Sequence, residues 1–188
     1  MSYLSIKQIL NLYNKPLSEL IYWANEVRMQ LHPNEDVTWM IDRNVNITNV
    51  CVVQCKFCNF CRTPKSSEAY ITTIDQYRQK IEELFAMGGD QLLLQGGLNP
   101  DLGLSFYTSL FKQLEDEFPK LKLHALGPAE IFYLSEKEGK SIEYILKSLI
   151  NAGLDSLPGA GAEILSDRVR KMVSPAKCSD TEWLEVMR

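Results

Sequence analysis

A repeated switch between two hydrophobic periods limits how this chain can fold more than any other feature. Short apolar runs start near residues 45, 91, 121 and 154, and apolar residues recur at helical spacing between them. Val45, Ile47 and Asn49 alternate with Asn46 and Thr48, which predicts a strand running into Cys51. Thr72 and Asp75, placed as in a capping box, open a helix whose apolar stripe is Ile74, Tyr77, Ile81, Leu84 and Phe85. Gly88 and Gly89 stop it. Gln91 to Gln95 reads as a second strand closed by Gly96 and Gly97. A helix follows, with Leu104, Tyr107, Phe111, Leu114 and Phe118 on one face and Pro119 at its end. Leu121 to Ala125 is a third strand. Ser141 to Ala152 is a helix with Ile142, Ile145, Leu149 and Ile150 inward, and Gly153 stops it. Leu154 to Leu157 is a fourth strand, and residues 163–172 and 180–188 read as further helix. The later strands are spaced by about 30 residues, the length of one βαβ unit, so the sheet should be parallel.

Two domains are expected. Residues 1–36 form a helical extension of two short helices, with Ser18 as an N-cap and Leu20, Val27 and Leu31 recurring behind it, up to Pro33 and Asn34. Residues 37–188 form an α/β domain that four parallel strands cannot close into a barrel. Trp183, Leu184, Val186 and Met187 make an apolar run with nothing after it to pack on. The expectation is a partial (β/α) barrel that stops after about four β/α units, inside a larger domain; two more units would need roughly 60 residues.

Charge and hydropathy remove several classes of function. The formal net charge is −4 and no basic stripe interleaved with aromatics occurs, so nucleic acid is not an expected partner. No apolar run reaches the length of a membrane span, and the N-terminus lacks a basic region followed by an apolar one. A cytoplasmic protein is expected. Thiols stay reduced there, so its five cysteines are read as ligands or nucleophiles.

Four of those cysteines, 51, 55, 58 and 61, lie within eleven residues. Three thiolates at C-x3-C-x2-C spacing, Cys51, Cys55 and Cys58, can hold three irons of a cubane cluster and leave the fourth iron open. A structural zinc site would use all four cysteines and normally draws them from two separated pairs. An electron-transfer ferredoxin has a different run, and here Arg62 follows the last cysteine. A redox C-x2-C pair would leave the remaining cysteines unexplained. Cys61 is read as a bystander just past the loop, and Cys178 as a small buried residue.

The C-x3-C-x2-C spacing, with Phe57 before the third cysteine and a first strand leading in, resembles the radical-SAM superfamily. Further stretches resemble its branch of futalosine-pathway and deazaflavin-cofactor synthases. They are Asn46 to Cys51, Leu93 to Leu98, His124-Ala125 with Pro128, Glu130 and Ile131, and Leu154 to Gly159 with Gly161 to Leu165. Within the branch, Arg62 with Pro64, Asp155 to Pro158, Asp167 to Arg170 and Trp183 to Arg188 look most like the member that cyclises dehypoxanthine futalosine in menaquinone biosynthesis. The resemblance spans essentially the whole chain but only the N-terminal part of a family member. Asn59, Cys61, Gly127 and Ala160 depart from the branch pattern.

The resemblance implies a 4Fe–4S cluster on Cys51, Cys55 and Cys58, and S-adenosylmethionine (SAM) on the open iron through its amino and carboxylate groups. It implies a 5′-deoxyadenosyl radical that takes hydrogen from a small-molecule substrate, and a reducing partner of flavodoxin or ferredoxin type. Another member's reaction, building aminofutalosine or the deazaflavin precursor, stays open, and so does a non-catalytic cluster-binding fragment.

Several residues carry two readings. Phe57 packs on an adenine ring or on the loop's own core. Gln95, Gly96 and Gly97 hold the SAM amino group or make a tight turn. Glu163, taken to open a helix, bonds the ribose of SAM or caps that helix. His124, on the opposite strand face from Leu121 and Leu123, contacts substrate or is a satisfied core histidine. Glu130, behind Pro128, has the same ambiguity as Glu163. Arg168 and Arg170 are expected on a solvated face, with a substrate carboxylate as their other use. His32 reads as surface. No residue is assigned as a catalytic acid or base.

Overall fold

The computed structural model describes residues 4–34 and 36–188. The chain divides into two compact units, the described residues up to Trp39 and the residues from Met40 to Arg188.

In the first unit, α1 spans Ile6–Leu12 and α2 spans Leu17–Leu31. Ser5 caps α1: its hydroxyl accepts from the Gln8 amide while the Gln8 side chain accepts from the Ser5 amide. The cap expected at Ser18 lies one residue inside α2, which starts behind Pro16 instead. Proline's fixed φ prepares the chain for a helix without a side-chain cap. Neither helix has a buried residue.

The second unit is a parallel sheet whose strands run in chain order: β1 (Asp42–Asn46), β2 (Gln91–Gln95), β3 (Lys122–Ala125) and β4 (Leu154–Ser156). Asp42 pairs with Gln91 and Asn46 with Gln95; Leu92 pairs with Leu123 and Leu94 with Ala125. The register slips between β3 and β4, where His124 meets Ser156. Helices α3 (Ile74–Ala86), α4 (Leu104–Glu117), α5 (Pro128–Glu138) and α6 (Ile142–Ile150) connect the strands, and α7 (Asp167–Val173) and α8 (Asp180–Met187) follow.

The core lies between one sheet face and these helices. Val45, Leu92, Leu94, Leu123, Ala125 and Leu154 face Tyr77, Ile81, Leu84, Phe111, Leu114, Ile131, Leu134, Ile145 and Leu149. Each large side chain buried here contributes about 1.5–3 kcal/mol through removal from water. Alternation along the strands turns Asn46, Gln95 and His124 to the opposite, concave face. Parallel strands also end on one side, so the loops after all four strands gather at one edge.

Several expected details shift. The helix predicted from Thr72 is capped by Thr73, boxed with Gln76, because the Thr72 hydroxyl donates to the Asn46 carbonyl. β1 begins earlier and ends at Asn46, and beyond it Thr48 is fully buried. Ile150, expected inward, is 58% exposed at the end of α6. The helix expected over residues 163–172 starts only at Asp167, so Glu163 opens no helix. The C-terminal apolar run does find partners: α8 packs on α5 and buries Trp183 and Val186, and the Trp183 indole donates to the Ala160 carbonyl at 2.9 Å. Arg170, expected in solvent, is 2% exposed.

Candidate active site

The site begins with backbone pairing that outlasts the strands. Past β1 and β2, the amide of Ile47 donates to Gln95, that of Gly97 to Thr48 and that of Val52 to Leu98. This ladder carries the chain to Cys51. Gly97 is required by close approach: a Cβ there would lie 2.2 Å from the Val50 carbonyl oxygen and 2.7 Å from Cys51 Cβ. The glycine pair therefore lets the β2 loop lie directly on the cysteine segment.

Buried polar side chains lock the same segment from below. The Thr48 hydroxyl donates to the Tyr70 carbonyl at 2.7 Å and accepts from the Val50 amide and the Asn99 carboxamide. Asn49 bridges to the Glu68 carbonyl and the Tyr70 amide. Thr48, Asn49 and Asn99 are all buried, and pairing offsets the cost of burying them.

Cys51 is consequently the most tightly held cysteine of the loop. Its amide donates to the Arg62 carbonyl at 3.1 Å, its carbonyl accepts from the Cys61 thiol at 3.3 Å, and its Sγ accepts from the Leu98 amide at 3.3 Å. Cys55 is half-buried, and Cys58 is exposed. Burial pushes the Cys55 and Cys61 thiols above the ordinary cysteine range, and the Lys177 ammonium opposes this at Cys55. All five cysteines are free thiols.

A cavity of about 310 Å³ opens at this edge. Its lining includes Cys51, Cys55, Cys58, Phe57, Gln95, Gly96, Gly97, Glu130 and Glu163. The expected site residues therefore come together, with one exception. His124 lies outside the lining, on the concave sheet face, with its Nδ1 2.6 Å from the Ser156 hydroxyl. Phe57 is 54% exposed, so it does not pack into the loop's own core. The Glu130 carboxylate turns back to accept from the Gly127 amide at 3.0 Å, and burial pushes its carboxyl above the usual range. Gln54, Leu126 and Glu163 adopt positive φ, at 51°, 58° and 43°. All three sit in the gathered loops, and such backbone strain costs on the order of 1 kcal/mol each.

The cavity's far wall was not legible in the sequence. Lys177 Nζ pairs with Glu163 at 2.9 Å and stands over the Phe57 ring at 6.0 Å. Arg170 supports this wall from behind, donating to the carbonyls of Ala162 and Cys178 at 2.6 and 2.7 Å. The Lys56 amide donates to the Val173 carbonyl at 2.8 Å, which ties the cysteine loop to the end of α7. Ser174 and Lys177 stand in a short segment between helices, where no hydrophobic period marks inward residues.

Among the described residues, no three His, Cys, Asp or Glu side chains gather closely enough for a single metal ion. A cubane cluster makes a different demand, because each thiolate sits on its own iron.

Residues 45–188 match the family model described as the Radical SAM superfamily, and the chain belongs to that superfamily. Its members use a 4Fe–4S cluster and SAM. Among curated proteins the chain is 40% identical to cyclic dehypoxanthine futalosine synthase of Halalkalibacterium halodurans, over 88% of this chain and 45% of that protein. It is 38% identical to the synthase of that name from Streptomyces coelicolor, over 96% and 46%. It is also 38% identical to 5-amino-6-(D-ribitylamino)uracil–L-tyrosine 4-hydroxyphenyl transferase of Archaeoglobus fulgidus, over 88% and 47%. The chain thus spans a little under half the length of these relatives. In fold it is similar to the solved structure of methylornithine synthase, with a TM-score of 0.54 at 16% identity over 81% of this chain and 54% of that one.

Proposed function

We propose that this chain is the cluster- and SAM-binding portion of a radical-SAM cyclase that converts dehypoxanthine futalosine to its cyclic form in menaquinone biosynthesis. One observation carries the reading: three thiols at the superfamily's spacing line the same cavity as Gln95, Gly96, Gly97 and Glu163. The choice of substrate is supported by the similarity to futalosine synthases from two organisms.

The residues present fit the group. Cys51, Cys55 and Cys58 would ligate it, and the Leu98 amide already points at one of the three sulfurs. When bound, the cluster supplies the electron that cleaves SAM to methionine and a 5′-deoxyadenosyl radical. Gln95 to Gly97 offer carbonyls to an amino group, with no side chains at the two glycines to keep a ligand away. Glu163 offers a carboxylate to ribose hydroxyls, and Phe57 an exposed ring face to adenine. Glu130 on the cavity wall and His124 on the adjoining concave face are the residues offered to substrate. The free thiols suit a reducing compartment, hence a cytoplasmic enzyme supplied by a flavodoxin- or ferredoxin-type donor. Among the described residues no helix is long and apolar enough to cross a membrane.

The test is anaerobic iron–sulfur reconstitution followed by electron paramagnetic resonance (EPR) of the reduced protein. A 4Fe–4S signal that SAM perturbs, and that Cys55→Ala abolishes, is expected; bound zinc without a cluster would sink the reading. Product analysis separates the branch reactions. Incubation with dehypoxanthine futalosine should yield the cyclic product. Turnover of tyrosine with 5-amino-6-(D-ribitylamino)uracil instead would assign the chain to the reaction named for its Archaeoglobus relative.

A further inference from the structure

The Ser174 hydroxyl is an unexplained buried group. Ser174 is 2% exposed, and its Oγ has no well-formed hydrogen bond, only a weak approach to the Cys55 thiol. A buried hydroxyl with no good partner costs up to about 1–3 kcal/mol, so an alanine would serve this position as well or better if packing were its whole purpose. Its backbone is fixed on both sides: the Ser174 amide donates to Arg170 and its carbonyl accepts from Lys177. Next to it, Val173 holds the Lys56 amide at 2.8 Å. That bond places the end of α7 against the Cys55–Lys56 segment, and the Ser174 side chain stands beside the Cys55 thiol. A neutral thiol is a weak acceptor, whereas a thiolate bound to iron is a strong one.

We propose that Ser174 is a positioning residue for the cluster, a hydroxyl held in reserve to donate O–H···S to the Cys55 thiolate once that sulfur is an iron ligand. This rests on the proposed cluster site. The two inner cysteines would then have one donor each, on different elements: the Leu98 amide on Cys51 and the Ser174 hydroxyl on Cys55. Hydrogen bonds to cluster sulfurs draw off negative charge, favour the reduced cluster and raise its potential. Ser174 therefore makes the cluster easier to reduce, from 119 positions further along the chain.

The experiment compares wild type, Ser174→Ala and Ser174→Thr, each with and without reconstituted cluster. Without cluster, Ser174→Ala should unfold at the same or a higher urea concentration than wild type, because it removes a buried hydroxyl whose one neighbour, a neutral thiol, is a weak acceptor. With cluster, an EPR-monitored redox titration should show its midpoint potential moved to more negative values. One exchangeable proton coupling in the electron–nuclear double-resonance spectrum should disappear. Loss of iron to a chelator should be about tenfold faster, the low end of effects from outer-sphere partners. Ser174→Thr keeps the hydroxyl and should restore the potential and the proton coupling. Potential and coupling unchanged in Ser174→Ala at full cluster content would overturn the assignment, and so would clear destabilisation of the cluster-free variant with an unchanged potential. A wild-type chain that takes up no cluster overturns the cluster reading itself, and Cys55→Ala as control tells the two failures apart.

Discussion

The two ends of the cysteine loop are built on opposite principles. At Cys51 the backbone is paired on both sides, and a buried network of Thr48, Asn49 and Asn99 fixes the strand beneath it. At Cys58 the thiol is exposed between Phe57 and Phe60, at 54% and 55% exposure. Only its own amide, bonded to the Cys55 carbonyl, is held locally. The contrast teaches where preorganisation is spent. On the proposed reading, Cys51 would be a first ligand fixed by the fold and would set the place of the cluster, whereas Cys58 and its aromatic neighbours would be left for the bound groups to order. A network that is fully satisfied is also costly to disturb, while an exposed thiol and ring are not.

That contrast can be tested by substitutions at both ends. The largest effect is expected for Arg170→Met, at the far wall: stranding the carbonyls of Ala162 and Cys178 should cost about 3 kcal/mol in urea unfolding and loosen the Lys177 segment. Gly97→Ala should follow. Its methyl group would meet the Val50 carbonyl, costing about 1–3 kcal/mol and abolishing cluster uptake by displacing Cys51. Thr48→Val leaves the Val50 amide, the Asn99 carboxamide and the Tyr70 carbonyl short of partners, and about 2 kcal/mol is expected. Phe57→Ser should change stability by less than about 0.5 kcal/mol while weakening SAM binding measured by equilibrium dialysis. A loss at Phe57 as large as that at Thr48 would break the comparison.

The smallest effect concerns pH. Burial raises the Glu130 carboxyl above its ordinary value of 4.5, so the folded chain holds this proton more tightly than the unfolded chain. The unfolded state then releases it first, and stability is lost as pH rises above 4.5. Glu130→Gln should remove that loss, raising the urea midpoint of the ligand-free chain at pH 7 and leaving it unchanged at pH 3.

Local periodicity marked all four strands and the stripes of α3, α4 and α6, because one buried face per element leaves its period in the residue order. It misjudged positions whose environment comes from elsewhere. Thr72 yields its cap to Thr73 because Asn46 claims its hydroxyl. Arg170 is buried because backbone carbonyls on two other segments converge on it. Trp183 has a partner because Ala160 lies beneath it.

The same division holds for the site. By itself the sequence determined the three-cysteine spacing, the glycine pair after β2, the acids after β3 and β4, and the family, since these are local patterns and parallel strands must end at one edge. Only the tertiary structure decided that Thr48 and Asn99 anchor the first cysteine, that His124 stands apart from the cavity, and that Ser174 and Lys177 reach the cysteine loop. Those contacts join residues far apart in the chain, and residue order carries no record of which distant backbone groups a side chain will meet.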